Sequence, residues 1–185
     1  PRTLPPAAGL GNVHVLRNPD DAAALRRAMQ TAATAVVIGG GYIGLEAAAS
    51  FRKAGLYVHV IEAADRLLAR VASPDMSAFF LDLHQRHGVM IHTGMTGTKI
   101  DHKDGIFTGI TLDTGQQISA DFLVVGIGVA PDSVLADAAG AAIGNGILVD
   151  RQMRTTIDDV YAIGDVALIE GATLRIESVH NAQDT

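Results

Sequence analysis

Between Ala35 and Glu62 the sequence AVVIGGGYIGLEAAASFRKAGLYVHVIE changes its hydrophobic period twice. Ala35 to Ile38 form a short apolar run rich in β-branched residues, which is the pattern of a buried strand. Gly39, Gly40 and Gly41 then turn the chain. Apolar positions recur next at Ile43, Leu45, Ala48 and Phe51, and this spacing predicts a helix that ends at Gly55. Tyr57 to Ile61 restore the strand pattern, and Glu62 closes it with a charge.

The rest of the chain elaborates this strand–helix–strand unit. Pro1 to Arg17 is rich in proline and glycine, ends in a short β-like run and reads as a connecting segment entering mid-fold. Asp20 or Asp21 is placed to cap a helix over Ala22 to Met29, with Leu25 and Met29 on one face. After Glu62, a loop carrying Arg66 and Arg70 leads to a helix opened by Ser73 and Pro74 and stopped by Gly88. Val89 to His92 is a third parallel-type strand. From Thr96 to Ala120, three short strands are joined by Asp104-Gly105 and Thr114-Gly115, which are hairpin signals. They predict a three-stranded antiparallel meander in place of one crossover helix. Phe122 to Ile127 returns as a buried strand, followed by Gly128 and Pro131.

Beyond that point Asp132 opens a short helix to Ala138, and ILVD at 147 and DVYAIGD at 159–165 read as strands. Asp165 is thereby expected at the C-terminal end of a buried strand, where open α/β sheets present ligand-binding groups. The closing ESVHNAQDT reads as the first turn of a helix with Ser178 as its N-cap, so both ends suggest a fragment. The predicted fold class is α/β, a Rossmann-like parallel sheet with an antiparallel meander. Its parts are a linker and helix over 1–30, a nucleotide-binding domain over 31–130 and a further segment over 131–185.

The glycine turn carries the candidate chemistry. Gly39 allows the tight exit from the strand, Gly41 lets backbone approach a pyrophosphate, and Gly44 lets the helix pack closely on the sheet. A helix N-terminus offers unpaired N–H groups and partial positive charge to phosphates. Glu62 is placed to accept from adenosine ribose hydroxyls and to repel a 2′-phosphate, which favours NADH over NADPH. A glycine turn without ligand and a methyltransferase nucleotide site remain as other readings of the same pattern.

Composition narrows the field. A hydrophobic content of 48% in 185 residues supports a sizeable core, and no apolar stretch approaches a membrane span, so a cytoplasmic location is expected. The net charge of −6, with no basic stripe, argues against nucleic-acid binding; Arg26, Arg27, Arg52 and Lys53 read as solvated helix faces. With no cysteine, the chain holds no thiolate nucleophile, disulfide or CxxC pair, so any electron transfer uses a bound cofactor. His84, His87 and His92 lack an acidic or thiol fourth ligand at a recognised spacing; they read as a polar helix face, and no metal site is expected.

VVIGGGYIGLEAAA with VIEAADRLLAR, TGITLDTGQQISADFLVVGIGVAPD, and VYAIGDVA followed by RIESVHNAQD together resemble the FAD-dependent pyridine nucleotide-disulfide oxidoreductases, ferredoxin and rubredoxin reductase branch. The resemblance covers nearly the whole chain. It implies NAD held along Gly39, Gly40, Gly41, Tyr42, Ile43 and Gly44, Glu62 on the adenosine ribose and Arg66 near the adenosine end. It also implies Glu46 toward the nicotinamide carboxamide and Gly128 beside the nicotinamide. Asp165 would bond a ribityl hydroxyl of FAD, and the helix starting near Val179 would face the flavin pyrimidine, while His180 stays structural. The implied activity passes hydride from NADH to FAD and electrons to a ferredoxin or rubredoxin. The FAD-type GxGxxG that opens the parent fold has no counterpart before residue 31, and Asp132 stands where the branch often has asparagine. The fragment is accordingly expected to bind NADH, to hold FAD weakly and to lack the full activity. A freestanding NADH-binding module or sensor, and a disulfide reductase with cysteines elsewhere, stay open as alternatives.

Overall fold

β-branched runs and glycine turns set the order of elements in the computed structural model, which describes residues 1–185. Residues Pro1–Gly128 and Val129–Thr185 form two units with separate cores. In the first unit the order is β1 (Val13–His14), α1 (Pro19–Met29), β2 (Thr34–Ile38), α2 (Tyr42–Lys53), β3 (Tyr57–Glu62) and α3 (Pro74–Arg86). Then follow β4 (Val89–Thr93), the meander β5 (Gly97–Lys103), β6 (Ile106–Leu112) and β7 (Gln117–Ser119), and β8 (Phe122–Val125).

Five of these strands make one parallel sheet in the order β1-β8-β2-β3-β4. Strand β2 lies at its centre, with Ala35 opposite Val58 on one side and Phe122 on the other. Its Ala35, Val36 and Val37 are fully buried, which is why this strand reads as a continuous apolar run. Ala35, Val37, Val58 and Val60 face Ala47, Ala48 and Phe51 of α2, and Phe51 meets Phe122 edge-to-face at 5.2 Å. Such an aromatic pair is worth about 0.5–1.5 kcal/mol beyond its buried area. On the opposite face, Val36, Ile61, Leu123 and Val125 lie under Phe107, Ile110, Leu112 and Ile118 of the meander. The meander thus takes the place of a crossover helix, as its hairpin signals predict. No helix is long and apolar enough to cross a membrane.

The short β-like run expected before Arg17 forms the edge strand β1 at residues 13–14, and the Arg2 N–H donates to the Gly128 carbonyl at 2.9 Å. Several other local expectations are corrected. Helix α1 is capped by Asn18 rather than Asp20 or Asp21, because Pro19 fills its first position. Asp21 instead returns the bond as the partner in a capping box. Arg52 is not a solvated face residue: it donates to the carbonyls of His87, at 3.0 Å, and Leu56. His84 is buried on the inner side of α3 and is not part of a polar face; only His87 is exposed.

The second unit is smaller. It contains α4 (Val134–Ala138), β9 (Ile143–Gly144), β10 (Gly146–Val149), β11 (Ala167–Ile169) and α5 (Val179–Asp184). Its strands pair in the order β11-β10-β9 around Ala141, Ile147, Val149, Ala162 and Ala167. Helix α4 starts at Val134 after Ser133, so Asp132 does not open it. Residues 159–165 are not a strand: Asp159 (φ 60°) and Gly164 (φ 67°) both take left-handed conformations, and only Tyr161 bridges, to Arg154. Asp165 therefore lies in a short turn of 3-10 helix before β11, on the N-terminal side of a strand rather than at its end.

Candidate nucleotide site

At the C-terminal ends of β2 and β8 the sequence packs two glycines, Gly39 and Gly44, so tightly that no side chain fits. Gly39 takes φ 110°, and a Cβ there would strike the Gly126 carbonyl. A Cβ on Gly44 would strike the Gly39 carbonyl, so α2 sits against the turn with only hydrogen between them. Gly126, whose N–H donates to the Ile38 carbonyl at 2.8 Å, completes the contact. Sequence reasoning missed it, although the Gly-Ile-Gly after an apolar strand was the available signal.

Gly41 differs from its neighbours. Its backbone angles, φ −84° and ψ −176°, suit any residue, and a Cβ there would meet nothing within 4 Å. Gly41 is also the N-cap of α2, and no side chain caps that helix, whereas Asn18 and Ser73 cap α1 and α3. No side chain therefore takes up the first-turn N–H groups of α2, which carry the positive end of the helix dipole. Tyr42 and Ile43 are exposed beside them; the buried face of the helix is Gly44, Leu45, Ala47, Ala48 and Phe51, so Ile43 does not belong to the core stripe.

Glu62 is brought to the same place by the register of β2 on β3. Its carboxylate accepts from the Gly40 N–H at 2.6 Å and from the Ala64 N–H at 2.7 Å, one bond to each oxygen. The two bonds fix the carboxylate at the rim of the turn and leave each oxygen a further lone pair for a hydroxyl. Leu68 holds the opposite rim: its N–H donates to the Gly40 carbonyl at 3.0 Å, and it adopts φ 53° while buried. Arg66 donates to the carbonyls of Ala69 and Ala72 and to Ser77 Oγ, each at 2.8 Å. Its guanidinium thus shapes the loop that carries Leu67 and Leu68 onto the glycine turn. Glu46 is exposed on α2 and joins no ion pair. Gly128, at φ 99°, lies beside the Arg70 guanidinium.

In the second unit Asp165 is exposed and Val179 is the first residue of α5, whose N-cap Ser178 accepts from the Asn181 N–H at 3.1 Å. Gly164 lies against Ala182 of α5, which places Asp165 next to that helix. Arg175, its side chain nearly buried, donates to the Asp165 carbonyl and to the Glu177 carboxylate at 2.6 Å, just ahead of that helix. Sequence reasoning left Arg175 without a role. A small, largely apolar cleft beside it is lined by Met153, Ala167, Ile169, Leu174, Ile176 and Asn181. The cleft lacks an acid–base pair or nucleophile, so the glycine turn remains the better candidate for recognition.

Comparison with known proteins agrees with this geometry. The family model described as pyridine nucleotide-disulphide oxidoreductase matches residues 1–185. Rhodocoxin reductase of Rhodococcus erythropolis is 45% identical, covering 99% of this chain and 44% of the relative. The crystal structure of the ferredoxin reductase for the CYP199A2 system of Rhodopseudomonas palustris superposes with a TM-score of 0.92 at 43% identity, over 97% of this chain and 45% of that one. The reductase in the covalent putidaredoxin reductase–putidaredoxin complex superposes equally well, at 38% identity over 98% and 46% of the two chains. The chain spans less than half the length of these relatives.

Proposed function

Because this chain belongs to the pyridine nucleotide-disulphide oxidoreductase family, we propose that it is the NADH-binding portion of a flavoprotein reductase that passes hydride from NADH to FAD and electrons onward to a ferredoxin or rubredoxin. The observation that carries the reading is the unfilled space over Gly41 at the uncapped N-terminus of α2. Nothing inside the protein asks for glycine there, whereas a pyrophosphate lying on the helix N-terminus does. Glu62, held by the Gly40 and Ala64 N–H groups, is oriented for a ribose diol and repels a 2′-phosphate, which supports NADH over NADPH. Tyr42 and Ile43 flank the phosphates, Glu46 serves the carboxamide end, Gly128 borders the nicotinamide, and Arg66 acts by shaping the adenosine-side loop.

Toward the flavin, the chain offers the exposed Asp165 carboxylate and the first turn of α5 at Val179, with Arg175 holding the Asp165 backbone. These groups fit a ribityl hydroxyl and the pyrimidine edge of the ring, but they are too few to hold a whole FAD. Residues 1–185 alone therefore bind the nicotinamide dinucleotide and retain little FAD. When bound, the two cofactors supply the hydride and single-electron chemistry, and the chain supplies position and electrostatics.

Calorimetric titration with NADH and NADPH tests the reading. The wild-type chain binds NADH in preference to NADPH; Glu62→Ala erodes the preference. Gly41→Val weakens NADH by about tenfold or more, roughly 1.4 kcal/mol, with an unchanged circular dichroism spectrum. A folded chain that ignores both nucleotides, or a Gly41→Val variant that binds NADH as the wild type does, overturns the proposal.

A further inference from the structure

Away from the nucleotide turn, two imidazoles on neighbouring parallel strands meet head-on. His59 Nδ1 of β3 and His92 Nε2 of β4 are 3.0 Å apart, and both rings are half-buried. The ring planes lie within 11° of each other and the centroids are 5.3 Å apart. That separation is the nitrogen gap plus the two ring radii, so the rings meet edge to edge along one line instead of lying face over face. Each ring nitrogen aims its lone pair, or its N–H, at the other. Burial lowers the pKa of both groups, with the neighbouring ring adding to the effect on His59, so near neutral pH both are uncharged and one N–H bridges them.

A third donor stands beside the pair. Met90 is the direct register partner of His59, and His92 lies two residues further along the same strand. Alternation along β4 puts Met90 and His92 on one face, and parallel register puts His59 on that face as well. It is the face opposite α2, since Val58, Val60, Val89 and Ile91 point the other way into the α2 core. Met90 is 38% exposed, so its thioether is free to move.

We propose that His59 and His92, with Met90 as a weaker third donor, bind a soft monovalent metal ion of the Cu(I) class on the exposed part of this sheet face. Two imidazoles and a thioether are the donor set that selects such an ion. Nowhere does a group of three or more His, Cys, Asp or Glu residues converge, which disfavours the four-ligand closure of structural zinc and the oxygen cages of calcium. To admit the ion, the nitrogens move apart from 3.0 Å toward two metal–imidazole bonds of about 2 Å each, along the line they already share. One ring changes tautomer, carrying its N–H to its other nitrogen through solvent, so no proton leaves the pair.

The chain has no cysteine, so thiolate does not compete for the metal. Under anaerobic reducing conditions, Cu(I) is titrated against a chromophoric chelator in the presence of the full chain. One equivalent is withheld from the chelator by the wild type; His59→Gln and His92→Gln each lose it, and Met90→Leu weakens it by about tenfold, the scale on which weaker partners tune metal sites. As a readout independent of the variants, the diamagnetic analogue Ag(I) shifts the ring NMR signals of His59 and His92 ahead of those of the other histidines. Withholding by wild type and His59→Gln alike, or Ag(I) shifts confined to His84 and His87, overturns the proposal and leaves the pair as a structural hydrogen bond.

Discussion

Gly39, Gly41 and Gly44 look alike in the sequence but answer to different demands. Gly39 is required by a positive φ and by the Gly126 carbonyl, Gly44 by the Gly39 carbonyl, and Gly41 by nothing within the protein. Gly44→Ala therefore lowers stability by about 1–3 kcal/mol, the usual cost of forcing a methyl group into a packed contact. Gly41→Ala stays within about 0.5 kcal/mol of wild type. Urea unfolding of the two variants side by side checks this, and equal losses would mean that the turn can relax. The motif itself is legible from spacing, because the glycines fall at fixed offsets between a strand and a helix. The reason for Gly39 is not, because Gly126 lies far along the chain and meets it only once β8 joins the sheet. Glu62 divides in the same way: its place at a strand end is visible in the sequence, but the Gly40 and Ala64 N–H groups that orient it are not.

At the level of elements, the strong periodic segments were readable and the short ones only in part. Helices α2 and α3 and the meander carry their own signals in apolar spacing and in Asp-Gly and Thr-Gly turns. Strand β1 has only two residues and is a strand because β8 offers it an edge. The 159–165 run has strand composition but is broken by Asp159 and Gly164 in left-handed conformations. The elements also bury His84 on α3 and half-bury three further histidines, His14 on β1, His59 on β3 and His92 on β4. Burial lowers the pKa of each below the ordinary 6.5. His14 Nε2 is buried without a partner, and the nearby Asp21 only partly opposes the shift. As pH falls below 6.5 the unfolded chain takes up these protons before the folded chain does, so stability declines with acidity in that window and is level above it. Thermal melts should show Tm falling as the pH drops below about 6.5 and constant above about pH 7. A flat profile would mean that the four rings titrate as they do in water.

Over the whole molecule, the two units differ in how much they bury. The first encloses the centre of its sheet on both faces, with Val36, Val37, Val58, Val60, Leu123 and Val124 shielded from solvent. The second relies on six small or medium buried hydrophobic residues, Ala141, Ile147, Val149, Ala162, Ala167 and Leu168, none of them aromatic. Hydrogen exchange should accordingly be slowest in β2, β3 and β8 and faster in β9, β10 and β11, as mass spectrometry of the exchanging chain would resolve. Equal protection would show that the smaller core is as stable as the larger. The bond from Arg2 to Gly128 has a different kind of consequence. It fastens the segment that precedes β1 to the turn that follows β8, so the chain path of the first unit is buttoned at one seam and fraying of either strand there has to undo the other.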